Sequence, residues 1–191
     1  MIGMVLDKRK IKTKRLIEMT FINILSEKEL SRITIKEICE KALISKSTFY
    51  DHYVDKYALV DTIIQEYSNE FQKEIHERFK SVDEHNTFEV ISGITQGMAL
   101  QNKNLSTILR VTGTDSSLES NFRKILFRES FAYFTSHPIN KRFSREFLAK
   151  MYAELALASI AYTLSNYEDK ELINQQADFI NLLQQAIIEK L

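Results

Sequence analysis

Two stretches of this 191-residue chain carry side chains whose type and spacing could do chemistry. Six of the eight residues from Lys8 to Arg15 are basic, namely Lys8, Arg9, Lys10, Lys12, Lys14 and Arg15. Further on, an ammonium, two hydroxyls, a phenol and a carboxylate stand close together at Lys46, Ser47, Thr48, Tyr50 and Asp51. Ammonium and hydroxyl donors match phosphate oxygens and guanine edges, and a Tyr ring or Thr methyl can touch thymine methyls. Both stretches suit non-covalent recognition of nucleic acid. Residues 1–60 hold 12 Lys/Arg against 8 Asp/Glu, and residues 61–191 hold 14 against 18, within a chain of zero net charge. A basic end on an acidic remainder is the electrostatic shape of a domain that meets nucleic acid. Charge alone is equally compatible with a solvated basic tail.

Bond-making chemistry finds no such set. Gly93 and Gly97 are four apart in a helical pattern, with no lysine signature of a phosphate loop after them. His76 and His85 flank an expected loop, and neither has an acidic partner at metal-ligand spacing. Cys39 falls on the apolar side of its helix, as a buried small hydrophobe would. No nucleophile stands beside a base. The expectation is a non-enzyme with no metal and no cofactor. A lone cysteine cannot close an internal disulfide, which points to a reducing cytoplasm. The longest uncharged segment, Leu155 to Tyr167, is 13 residues, against roughly 20 for a spanning helix. The opening MIGMVLDKRK also lacks the charge order of a secretory signal. A soluble protein without a membrane partner is expected.

The elements that position these residues are helices. Four Gly and one Pro are too few for a turn-rich β fold, and 44% apolar residues suffice for a core, so the fold class is all-α. Apolar residues at Leu16, Ile17, Phe21, Ile24 and Leu25 have a helical period. Thr34 offers an N-cap with Glu37 three residues on, ahead of Ile35, Ile38, Cys39 and Ala42. Ser45 caps a second short helix through His52 or Tyr53, in which Phe49 and Tyr53 anchor the inner side. Asp55 caps a longer helix with Leu59, Ile63 and Tyr67 on one side. Two short amphipathic helices joined by so tight a bend are what a helix-turn-helix requires; an ordinary three-helix packing unit is the alternative. Later helices are expected near 55–80, 87–101, 103–111, 116–135, 142–166 and 170–190. The sole proline, Pro138, falls in a separator.

The segment TIKEICEKALISKSTFYDHYVDKYAL, Thr34 to Leu59, resembles the DNA-binding signature of the tetracycline-repressor-like (TetR) family. Ser45-Lys46-Ser47-Thr48-Phe49-Tyr50-Asp51-His52-Tyr53, followed by Lys56 and Leu59, carries the likeness. The specific match covers about 50 residues. The resemblance implies an N-terminal three-helix helix-turn-helix domain, residues 1–58, followed by a helical ligand-binding and dimerisation domain, residues 59–191. It implies double-stranded DNA as partner, with Thr34, Lys36, Ser45, Lys46, Ser47, Thr48, Tyr50, His52 and Lys56 as DNA-binding candidates. Lys46 and Tyr50 would read bases, and His52 and Lys56 would hold phosphate. Many members have Gly in the bend where this chain has Leu43, for which a right-handed conformation is expected.

The same resemblance implies a homodimer in which the last two long helices form a four-helix bundle. The stripes Leu148, Met151, Tyr152, Leu155, Ser159, Tyr162 and Ile173, Ala177, Ile180, Leu183, Ile187 are compatible with that, or with each chain's own core. Met98, Phe122, Phe131, Phe134 and Tyr152 are candidates to line a ligand pocket, although aromatic residues at helical spacing also build cores. The functional expectation is a cytoplasmic, dimeric repressor that reads an inverted-repeat operator and is released by an unknown small-molecule effector. The alternatives are an activator or co-regulator controlled by a protein partner, and a DNA-bound interaction protein outside transcription.

Overall fold

The computed structural model describes residues 2–81, 103–112, 114, 117–137, 142–166 and 168–188, and every regular element among them is helical. Helix α1 is Ile2–Leu25, followed by a 3-10 turn at Leu30–Arg32. Then come α2, Ile35–Ala42, α3, Lys46–Tyr50, and α4, Lys56–Ser81. Beyond these lie α5, Lys103–Leu109, α6, Leu118–Ser136, α7, Arg145–Ser165, and α8, Lys170–Ile188. The helix expected at 87–101, with Gly93, Gly97 and Met98, lies outside the described residues, as do His85 and Pro138.

Packing divides the chain into two units, Met1–Tyr67 with Thr107–Leu118, and Ser68–Ser106 with Glu119–Leu191. In the first unit α1 turns Ile17, Phe21 and Ile24 inward, and α2 contributes Ile38, Cys39 and Ala42. Phe49, Tyr53, Leu59 and Ile63 complete this core. The basic run of α1 is helical, with Lys8, Arg9, Lys10, Lys12 and Arg15 exposed, so it is part of the folded element and not a tail. Ser26–Glu29 and the 3-10 turn reverse the chain, and Leu30 and Ile33 sink into the core beside it.

The second unit is organised by rings. Phe71 on α4 stacks on Phe122 of α6 at 3.8 Å, and both are almost fully buried. Phe79, Tyr133, Phe134 and Tyr152 form another cluster, with Phe79 5.5 Å from each of the two tyrosines. Asn121 donates to the buried Ser68 hydroxyl at 3.0 Å. Gln176 on α8 donates to the Ser159 carbonyl at 2.9 Å and accepts from Thr163 at 2.8 Å, so two polar groups of α7 are matched by its neighbour.

Among the described residues α7 is the one helix long and apolar enough to cross a membrane. That differs from the 13-residue uncharged limit read from sequence, because the helix tolerates Arg145, Glu146, Lys150 and Glu154 near one end. Half of its apolar window is buried by the fold, and its Ser159 and Thr163 bonds to α8 give that side an intramolecular use. Phe122→Ala should cost about 3–5 kcal/mol of stability, since it deletes a buried ring from a stacked pair. Urea unfolding of the variant checks this, and a loss under 1 kcal/mol would show that the stack is not part of the core.

Candidate nucleic-acid interface

The α2–α3 pair is built by local rules. The Thr34 hydroxyl accepts from the Glu37 N–H at 3.2 Å, and the Ser45 hydroxyl accepts from the Thr48 N–H at 3.0 Å. Asp55 accepts from the N–H groups of Tyr57 and Ala58, both at 2.8 Å, which caps the start of α4. All three caps fall where Ser, Thr or Asp precede an amphipathic run, because a short side chain there replaces a missing helical acceptor. Glu37 leans toward Lys28, 2.6 Å away. That bond is the main reason its carboxyl sits below the usual range, with Lys41 and the Thr34 backbone helping.

The bend between α2 and α3 differs from the expectation. Leu43 adopts the left-handed conformation, φ 54° and ψ 41°, and among the described residues it is the one non-glycine with positive φ. Its N–H and that of Ile44 return to the Glu40 and Cys39 carbonyls, closing α2 in the way a C-terminal glycine usually does. The side chain is 92% exposed, so it gains no packing in return. Closure of the helix outweighs the local steric cost of about 1–2 kcal/mol.

Helix α3 spans five residues, though the N–H groups of His52 and Tyr53 still return to the Phe49 carbonyl. Phe49 is fully buried, and its ring lies 5.9 Å from that of buried Tyr53. The opposite side presents Lys46, Ser47 and Tyr50 to solvent, with Tyr50 54% exposed and set edge-on against Phe49. Asp51 is exposed at the end of the helix. His52 is half-buried beside Tyr53.

Other candidates have a structural task as well. Ser45 and Thr48 share a hydroxyl–hydroxyl bond of 2.9 Å. Lys36 is exposed, 3.7 Å from Glu40. The Lys56 ammonium donates to the carbonyls of Leu30, Ser31 and Ile33 at 2.8, 3.1 and 2.8 Å. Those bonds use its three N–H donors within the protein.

Two residues were missed in sequence. Glu18 is buried and accepts from the Tyr53 hydroxyl at 2.8 Å and from Lys14 at 2.9 Å. Its position next to Ile17 on the inward side of α1 was the available signal. Arg32 lies two residues ahead of the Thr34 cap, exposed, with no side-chain bond or ion pair among the described residues. Burial keeps the Cys39 thiol pKa raised, and its Sγ lies 3.9 Å from the Ser45 carbonyl oxygen.

Among the described residues the ligand candidates belong to different ring contacts. Phe122 belongs with Phe71, whereas Phe134 and Tyr152 belong to the Phe79 cluster. Phe131 is 38% exposed and stacks on Phe127 at 5.8 Å, which takes it out of the core. Met98 lies outside the described residues. His76 meets an acid from another helix, Glu129, at 3.0 Å.

Leu43→Gly should stabilise the protein by about 0.5–1 kcal/mol, because glycine relieves the left-handed penalty but gains freedom when unfolded. A raised melting temperature checks this, and a lowered one would contradict the strained bend.

No family model matches the chain. A curated relative, the uncharacterized HTH-type transcriptional regulator YxbF of Bacillus subtilis, is 39% identical over 61 residues. That match spans 31% of this chain and 16% of the length of YxbF. NalD of Pseudomonas aeruginosa, the secondary repressor of the MexAB-OprM multidrug efflux pump, superposes with a TM-score of 0.72. The alignment covers 94% of this chain and 96% of NalD at 15% identity. The regulator FadR of Bacillus subtilis, solved with stearoyl-CoA, gives 0.67 over 88% of this chain and 96% of its own, at 16% identity. The chain therefore has the all-α fold of TetR-family transcriptional regulators, the family that its Thr34–Leu59 segment resembles.

Proposed function

We propose that this chain is a cytoplasmic, homodimeric transcriptional repressor that reads an inverted-repeat operator and is released by a small-molecule effector. The observation that carries the reading is the two-sidedness of α3. Phe49 is fully buried and Tyr53 nearly so, while Lys46, Ser47 and Tyr50 stand outward on an otherwise capped helix-turn-helix. A polar side held rigid from behind is what base reading in a major groove needs. The reading domain, residues 1–58 by sequence, is contained in the first packing unit. The relatives are DNA-binding regulators, and the chemistry proposed here is recognition, not catalysis.

The dimer reading rests on an exposed apolar face. Phe147, Met151 and Tyr162 of α7 are 49%, 50% and 42% exposed, along one side with exposed Ala158. On α8, Phe179 and Leu182 are 55% and 64% exposed. Of the α7 stripe expected from sequence, Tyr152 and Ser159 face the core, Met151 and Tyr162 face out, and Leu148 and Leu155 are intermediate. Ile173 is intermediate, and the side chains of Ala177, Ile180, Leu183 and Ile187 lie outside the described residues. Joining two such faces would remove large apolar side chains from water, and a two-fold dimer would call for an inverted-repeat operator with half-sites about one helical turn apart.

For the effector, FadR with stearoyl-CoA is a precedent for an apolar acyl ligand, and the Phe79–Tyr133–Phe134–Tyr152 cluster is the proposed wall. Helix α4 belongs to both units, so an effector that favours one placement of α4 would change operator affinity. The shift is limited by the ligand's difference in affinity for the two states.

A binding titration on the DNA upstream of the chain's own gene, against scrambled DNA, tests the function. Two protomers per site and sequence dependence are expected. Tyr50→Ala should weaken specific binding by about 1–3 kcal/mol while leaving non-specific binding nearly unchanged; equal loss on both DNAs would remove Tyr50 as a reader. Met151→Glu should yield a folded monomer by ultracentrifugation with reduced operator affinity. A stable dimer of that variant would place the interface elsewhere.

A further inference from the structure

Lys56 is the first residue of α4, yet its ammonium points back to the 3-10 turn Leu30–Arg32 and to Ile33. An ammonium has three N–H donors, and here they meet three carbonyls at 2.8, 3.1 and 2.8 Å. The residue that follows these carbonyls, Thr34, is the N-cap of α2. The contact therefore joins the start of α4 to the start of α2, the two helix ends that bracket α3 in sequence. A lysine that left the turn for a phosphate would strip the Ser31 and Ile33 carbonyls of this partner.

The same turn carries a second cation. Arg32 is exposed and, among the described residues, its guanidinium has no bond or ion pair. It stands two residues ahead of the Thr34 cap, where the free N–H groups of α2 begin. A guanidinium offers a flat fork of donors suited to two phosphate oxygens.

We infer that the two cations divide the work at this corner of the interface: Lys56 is a positioning residue that holds the turn, and Arg32, carried on that turn, binds a DNA phosphate. This rests on the DNA-binding reading above. The holding role needs no DNA, whereas the phosphate role appears only in its presence, so the two can be measured apart.

The test uses the full chain as wild type, K56M, K56R and R32A. Melting temperature is measured without DNA, and binding to specific and scrambled DNA is measured over a range of salt. K56M should melt several degrees lower and lose severalfold in its preference for specific DNA, with its salt slope within about half a unit of wild type. R32A should melt within about one degree of wild type and lose about one unit of salt slope on both DNAs. K56R keeps the charge but holds its N–H groups in one plane on a longer side chain, a poor match to three carbonyls gathered around an ammonium, so it should share the melting loss of K56M in milder form. It keeps the question open to test if K56M does not fold. An undisturbed melting temperature in K56M or K56R, or a full unit of slope lost in K56M, would overturn the positioning role. An unchanged slope in R32A would overturn the phosphate role. Absence of DNA binding by the wild type would sink the DNA reading itself, while the melting series would still judge the clamp.

Discussion

A carboxylate taken out of water must be met by donors or it destabilises the fold. Glu18 is such a group, 9% exposed in the first unit. It is met by the Tyr53 hydroxyl, just after α3, and by the Lys14 ammonium one turn earlier on α1. Lys14 also pairs with Glu66 on α4. One polar cluster thereby links α1, α4 and the residues just after α3. Burial first, and the bond to Glu18 second, raise the Tyr53 pKa, so the phenol remains a donor. A displaced α3 would leave the carboxylate short of a partner. The apolar contact of Phe49 sets how deep α3 sits, and this cluster fixes its position along the core.

That arrangement explains why the outward side of α3 can afford to be wholly polar. Lys46, Ser47 and Tyr50 contribute little to the core, because Phe49, Tyr53 and the caps already define the helix. The surface is then available for recognition. The second unit follows a different logic. Its buried aromatic residues pack with one another, and its small buried residues, Ala149, Ala153 and Ala156, let α7 approach its neighbours. The buried Ser130 hydroxyl donates to the Leu126 carbonyl of its own helix, 2.7 Å away, with the Ala149 carbonyl of α7 at 3.4 Å.

The helices and their starts were legible in the sequence of residues. Thr34, Ser45 and Asp55 cap where their types and the following apolar period indicate, and the segments near 55–80, 142–166 and 170–190 are helices. Capping and amphipathic period are local: they depend on residues three or four apart, and a chain carries that information before it folds. The outward set on α3 was legible for the same reason, since the apolar spacing of Phe49 and Tyr53 leaves the other side exposed.

Only the tertiary structure decided what depends on contacts between distant residues. Leu43 takes a glycine-like conformation because closing α2 and leading into α3 demands it, and no local preference of leucine reveals that. Lys56 reads as a free cation until the carbonyls 23 to 26 residues earlier come within reach. Glu18 has no partner in its own stretch of sequence but Lys14, and its second donor, Tyr53, comes 35 residues later. Phe122, Phe131, Phe134 and Tyr152 share one aromatic character in sequence, yet packing sends them to two clusters and an exposed face. By itself the sequence determined the fold class, the helix starts at Thr34, Ser45 and Asp55, and the polar outward side of α3, because those follow from short-range pattern. Which charged groups are spent inside the protein and which remain for a partner is set by long-range packing.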